Sequence, residues 1–245
     1  MIYREKAETR LYDFDSDGYL TLTGMLRIME NTASHHSNTV MDELAARQLN
    51  GFSWLLTEWH VEIIKTPLRS GGITVETWII NAESSARSIR EMRLSDDEGN
   101  ILIIAEMTFA AYDINEGRVL RLTKAFLAQY RPESERLFKC SPPRLAIPKE
   151  YDAELSVPVR RGDLDFNDHV HNTVYMDYAL EALPGELIKS RHVSSFRVIY
   201  HRSVKYGDPL TLRTKRTGSK WLTGMYVGGK LYCAVEVSER KEENA

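Results

Sequence analysis

Runs in which apolar residues alternate with polar ones, or crowd together between turn residues, recur in two sets along the chain. In the first set, Leu55 to Ile64, Ile73 to Ile80, Ser88 to Leu94 and Ile101 to Ala111 predict four strands, since a period of two gives a strand one core face. Asp97-Glu98-Gly99-Asn100 joins the last two as a hairpin. In the second set, Phe196 to Tyr200, Leu210 to Lys215, Trp221 to Val227 and Leu231 to Ser238 predict four more. Gly228-Gly229 between the last two is a two-residue turn that accepts positive φ at both positions. A stretch of helical period precedes each set: Leu22 to Ser34, and roughly Asn172 to Leu183. In the second of these, Thr173, Asp177 and Glu181 recur every four positions and leave one narrow polar stripe, as in a helix wrapped by other structure. Pro184-Gly185 stops it. A helix followed by an antiparallel meander is an α+β layout.

The two sets are related. Asp13-Phe14-Asp15-Ser16-Asp17-Gly18-Tyr19-Leu20 matches Asp163-Leu164-Asp165-Phe166-Asn167-Asp168-His169-Val170 at an offset of 150. Trp59-His60-Val61-Glu62-Ile63 matches Phe196-Arg197-Val198-Ile199-Tyr200 at an offset of 137, so the first half carries a longer connection within residues 34–50. Between the halves, Pro132, Pro142, Pro143 and Pro148 mark a stretch that resists helix and sheet interior alike. The expected division is an N-terminal domain over 1–131, a linker over 132–150 and a C-terminal domain over 151–245. Glu239 to Ala245 reads as a frayed polar tail.

Composition narrows the class. The 245 residues are 42 % hydrophobic and 27 % charged, enough apolar material for a sizeable core. A net charge of −3 argues against general nucleic-acid binding. The longest aliphatic run, Ile101 to Ala105, stops at Glu106, too short to cross a bilayer. Met1-Ile2-Tyr3-Arg4-Glu5-Lys6 lacks the apolar core of a secretory signal, and a reducing cytosol is the expected compartment. Cys140 and Cys233 are far apart and form no metal or disulfide pattern; Cys233 lies in an apolar run and reads as a buried, inert thiol. Asp13-x-Asp15-x-Asp17-Gly18 resembles the start of a calcium loop, but position twelve is Gly24 rather than Glu. A carboxylate-rich turn capping the first helix is the better reading. No cofactor or metal is expected.

The chemistry concentrates in residues 163–172. Asp165, Asn167 and His169 alternate, so an extended segment points all three the same way, just before a helix. The same residue types are also ordinary capping and turn residues. Asp-Leu-Asp-x-Asn-x-His-Val-x-Asn resembles the signature of the fatty acyl-ACP thioesterases of plants and bacteria. The likeness extends to Glu58-Trp59-His60-Val61-Glu62-Ile63, Pro67, Gly71-Gly72, Val75-Glu76-Thr77-Trp78 and Tyr206-Gly207-Asp208. It implies a tandem hotdog fold, each unit a long helix lying in a curled antiparallel sheet, and hydrolysis of fatty acyl-carrier thioesters. It places Asp165, Asn167 and His169 in the catalytic site: His169 as base on water, Asn167 holding the water or the oxyanion, Asp165 orienting one of them. Two positions depart from the family. Ser203-Val204 stands where plant members carry Glu-Cys, and His171 where they usually have Asn. Ser203 and His171 are therefore accessory candidates, with Glu181 a reserve carboxylate.

In the first half Asp17 and Tyr19 replace Asn and His, so that half is expected to shape the acyl pocket instead, with Met25, Ile28, Met29, Trp54 and Leu56 as candidate walls. The implied partner is acyl carrier protein, an acidic protein. Arg213, Lys215, Arg216 and Lys220, or Arg87, Arg90 and Arg93, are the candidate docking clusters. No nucleic acid or membrane is expected; a homodimer is. An acyl-CoA thioesterase is the neighbouring alternative; hotdog dehydratases and hydratases fit the Asn167–His169 spacing less well. A catalytically weak acyl-binding module is the alternative of another class, which Ser203 keeps open.

Overall fold

The computed structural model describes residues 1–40, 51–80, 87–140 and 142–241. Its first half contains β1 (Tyr3–Lys6), α1 (Leu22–Asn38), β2 (Phe52–Ile63), β3 (Thr74–Ile79), β4 (Arg87–Ser95), β5 (Ile101–Asp113), β6 (Arg118–Leu120) and the short α2 (Lys124–Ala128). The second contains β7 (Ala153–Val157), α3 (Val174–Glu181), the one-turn α4 (Gly185–Ile188), β8 (Val193–Tyr200), β9 (Leu210–Thr217), β10 (Lys220–Val227) and β11 (Lys230–Glu239). The strand order is β1-β3-β4-β5-β2-β8-β11-β10-β9-β7, with β6 added on β5. Each half is a hotdog, and the two share one sheet.

The halves meet where β2 pairs antiparallel with β8, and His60 lies opposite Arg197. Those residues are equivalent at the offset of 137, so a pseudo-twofold passes between them. β10 and β11 turn at Gly228 and Gly229, whose φ values of 56° and 76° fit the expected turn.

α1 begins at Thr21, whose hydroxyl accepts from Gly24 N at 2.9 Å. Leu22, Met25, Leu26, Met29 and Ala33 recur at helical spacing and are buried. The helix runs past the expected Ser34 to Asn38, which accounts for part of the longer connection; residues 41–50 lie outside the described residues. α3 is shorter than expected, because Thr173 makes no side-chain cap and Pro184 follows closely. Tyr175, Met176 and Ala179 of α3 join α1, Trp59 and Phe196 in a single core cluster spanning both halves. Across the helix pair Thr23 Oγ1 donates to Asp177 Oδ1 at 2.5 Å.

Between α2 and β7 the described residues form no helix or strand, yet this stretch is tied across the sheet. Arg136 bridges Glu91 at 2.9 Å and Glu106 at 2.8 Å, both buried carboxylates. Phe138 packs on the His60 ring at 4.4 Å, and Arg197 donates to the Pro143 carbonyl at 2.8 Å. The first residues of the expected tail depart from expectation, 242–245 lying outside the described residues: Glu239 ends β11 and accepts from Trp221 Nε1 at 2.6 Å. Arg240 donates to the Ile63 carbonyl at 2.7 Å. Cys233 is fully buried, and burial pushes its thiol well up. Among the described residues, no helix is long and apolar enough to cross a membrane.

Candidate active site

The motif folds as a tight loop organised by two aspartates. Asp165 N donates to the His169 carbonyl at 2.7 Å, and Leu164 bridges Val170. Asp165 Oδ1 accepts from Asn167 N at 2.8 Å and from His169 N at 3.2 Å. Asp168 closes the turn in the left-handed region, with φ of 57°. Asp163 anchors the base of the loop, accepting from Arg160 N at 2.8 Å and Tyr178 Oη at 2.6 Å. Burial would raise its carboxyl, but Arg160 and Tyr178 hold it below the ordinary value.

The first half builds the same loop. Asp15 Oδ1 accepts from Asp17 N and Tyr19 N, each at 2.9 Å, and Gly18 takes the position of Asp168 with φ of 81°. Leu20 N donates to Pro67 O as Val170 N does to Val204 O, so both sequence offsets hold in space. Backbone capping by Asp165 therefore belongs to the fold, because Asp15 does it where no histidine follows. Asp165 touches neither imidazole nor water-binding group through these bonds; it holds the loop. The calcium-like run is likewise a loop organiser, and α1 itself is capped by Thr21.

A cavity of about 340 Å³ opens at this loop. Its walls come from the first half, including Ala33, Ser37, Trp54, Ile79, Met107 and Phe109, and its mouth from Asp165, Phe166, Asn167, His171 and Asn172. The structure thus brings Asp165, Asn167 and His171 together around one space. His169 is half-buried, pairs through its backbone with Lys205, and is not part of the lining. Ser203 and Glu181 are exposed and do not line it either. Of the five predicted wall residues Trp54 alone faces the cavity; Met25, Ile28, Met29 and Leu56 are core.

Glu30 of α1 completes the mouth. Its Oε2 lies 3.5 Å from His171 Nε2, and the Asn172 side chain hydrogen-bonds to it. Burial raises its carboxyl above the ordinary value; His171 and Asn172 oppose the rise, and the Asp165 charge adds to it. On the other side of the ring, His171 Nδ1 contacts Thr173 Oγ1 at 3.1 Å and Thr173 N at 3.4 Å. At the inner end Arg90 is buried, donating to His36 Nδ1 at 2.8 Å and Thr77 Oγ1 at 3.2 Å. Burial pushes Arg90 down to about 10 and His36 down to about 3, the latter helped by Arg90. Among the described residues, no group of three or more His, Cys, Asp and Glu is placed to hold a metal ion.

Two family profiles match this chain in tandem: the acyl-ACP thioesterase N-terminal domain over residues 1–130 and the acyl-ACP thioesterase C-terminal domain over 147–238. The chain belongs to the acyl-ACP thioesterase family. It is 26 % identical over 230 residues to oleoyl-acyl carrier protein thioesterase 2, chloroplastic, of Arabidopsis thaliana, covering 84 % of this chain and 60 % of that protein. It is 22 % identical over 249 residues to the chloroplastic dodecanoyl-[acyl-carrier-protein] hydrolase of Cinnamomum camphora, covering 92 % of this chain and 62 % of that one. The chain thus spans about three fifths of these relatives' length. An acyl-ACP thioesterase from Bacteroides thetaiotaomicron superposes with a TM-score of 0.86 at 19 % identity, covering 98 % of both chains. The 12:0-ACP thioesterase of Umbellularia californica gives 0.84 at 18 %, covering 98 % of this chain and 97 % of that one, so the likeness is of the whole fold.

The position of Glu30 is the site feature that sequence reading missed. Glu30 interrupts an otherwise apolar helical stripe, and its equivalent at the offset of 150 is Leu180, a contrast visible once the repeats are aligned. The expected docking cations are mostly engaged. Arg213 pairs with Glu154, Lys215 with Asp152, Arg216 with Glu239 and Lys220 with Glu236. Arg93 pairs with Glu76, and Arg90 is buried.

Proposed function

We propose that this protein hydrolyses the thioester between a fatty acyl chain and the phosphopantetheine arm of acyl carrier protein, releasing free acid and holo-carrier. The observation that supports this most is the placing of the motif loop of a family member, with Asn167, at the mouth of a cavity walled by the other half. The acyl chain lies along α1 and the thioester carbonyl sits at the loop. Asn167 donates to the carbonyl oxygen, where negative charge develops as water attacks. Asp165 acts through the loop it holds.

Two groups can take the proton from water: His169, favoured by the family motif, and Glu30, favoured by its place in the cavity. Acyl-CoA carries the same reacting group and is the alternative substrate; a binding module without turnover is the alternative of another class. The pseudo-equivalent residue gives an internal control. Asn167→Ala should lower kcat for thiol release by roughly 10²–10³, the effect of removing one oxyanion donor, whereas Asp17→Ala at the matching loop should leave it unchanged. Full release by a folded Asn167→Ala variant would remove the motif from the chemistry.

A further inference from the structure

We infer that Glu30, supplied by the first half of the chain, is the catalytic carboxylate that accepts the proton of the attacking water at the motif of the second half. The inference rests on the thioesterase reading above.

Position comes first. Glu30 and Asn167 line the same cavity, one from the helix of the first half and the other from the loop of the second. The Glu30 side chain is 27 % exposed, enough to meet water from the cavity while remaining poorly solvated. His171 Nε2 lies 3.5 Å from its Oε2, and the Asn172 side chain hydrogen-bonds to it.

The duplicated half supplies a second, independent argument. A cavity of about 450 Å³ lies at the equivalent loop, lined by Asp15, Thr21, Asp177 and Leu180. There Leu180 stands for Glu30, Thr21 for His171, Leu22 for Asn172 and Asp17 for Asn167. The loop scaffold persists without these four residues, so the fold does not require them. They occur as a set only where the family motif is complete.

Ser203 is exposed and lies outside the cavity, so it supplies no group to a water there, whereas Glu30 lines the cavity beside His171. Burial raises the Glu30 carboxyl above its ordinary value, which makes the carboxylate the stronger base.

In the step, the water oxygen bonds to the carbonyl carbon as its proton passes to Glu30 and the carbonyl electron pair moves to the oxygen. The tetrahedral intermediate then re-forms the carbonyl, and the C–S bond breaks with its electrons on sulfur. The thiolate recovers the proton from Glu30, leaving acid, thiol and the ionised base.

The charged and titratable groups around Glu30 are His171 and Asp165 from the loop, Arg90 and Tyr130, which line the same cavity, and Glu8, Arg10, Asp13 and Arg27, which line an adjoining one with it. The test is thiol release from acyl-ACP across pH by the full chain and by Glu30→Gln, Glu30→Asp, His171→Asn and His169→Ala. Glu30→Gln should lower kcat by about 10²–10⁴ with little change in KM. It should also abolish the acid limb, along which activity falls as Glu30 is protonated. Glu30→Asp should keep a displaced limb, and His171→Asn should keep a limb. His169→Ala should lose less than Glu30→Gln. Retained kcat in Glu30→Gln, or an acid limb unmoved in both Glu30 variants, would overturn the inference alone. Absence of release by the wild type would overturn the thioesterase reading with it. Should Glu30→Gln not fold, the Glu30→Asp limb decides: displaced supports, unmoved overturns.

Discussion

Asp15 and Asp165 make the same hydrogen bonds in the two halves, yet only one of them sits beside Asn167 and Glu30. Each carboxylate satisfies two backbone donors that loop formation would otherwise leave open. Replacement by Ala should therefore cost about 2 kcal/mol in either half, as for hydrogen bonds to a charged group. Asp165→Ala should also lose thiol release, whereas Asp15→Ala should keep it in the folded fraction; urea unfolding beside kinetics separates the two effects. Equal loss of activity in both variants would mean that the loops matter only for folding. The alternation of Asp165, Asn167 and His169 was legible because those residues are neighbours in sequence. Glu30 was not, because its meeting with His171 is made by the tertiary fold, and on α1 it reads as one polar interruption of an apolar stripe. The loop also turns so that Asn167 and His171 face the cavity while His169 does not line it, a consequence of the turn at Asp168 that a flat strand pattern does not contain.

The element that changed most between sequence and structure is the proline-rich connection. Prolines exclude regular structure by removing donors and fixing φ, so its irregularity was readable. Its attachment to the sheet was not, since a single Arg136 and Phe138 have no period. Burial raises the carboxyls of Glu91 and Glu106, and Arg136 opposes the rise in both. Groups raised in this way contribute stability below the ordinary carboxylate pKa and lose it as pH rises through the raised values. Arg136→Met should leave two buried carboxylates without their cation. The cost should be about 2–3 kcal/mol at neutral pH, less than for a fully buried pair because Arg136 is 35 % exposed. The deficit should be larger at pH 8 than at pH 5 in thermal melts. A deficit independent of pH would show that the strap is held by packing alone.

At the scale of the molecule, a duplicated scaffold has been equipped once. The offsets of 150 and 137 revealed the duplication because the loop and central-strand residues repeat in type. They did not reveal that the halves share one sheet through β2 and β8 and one core, which depends on side chains buried from both directions. The candidate site needs both halves: walls and Glu30 come from the first, the loop with Asn167 from the second. Carrier recognition is less legible, since the cations of β9 and β10 named as a docking cluster are already paired with acids on neighbouring strands. Such surface pairs are worth little in stability, and they leave no free basic face in that cluster. The most direct measurement is thiol release by the intact protein from acyl-ACPs of short to long chain, with the matching acyl-CoAs alongside. The account predicts release from the carrier-linked series, faster than from the CoA thioesters at equal concentration. Folded protein that releases thiol from neither series would contradict it and leave an acyl-binding module in its place.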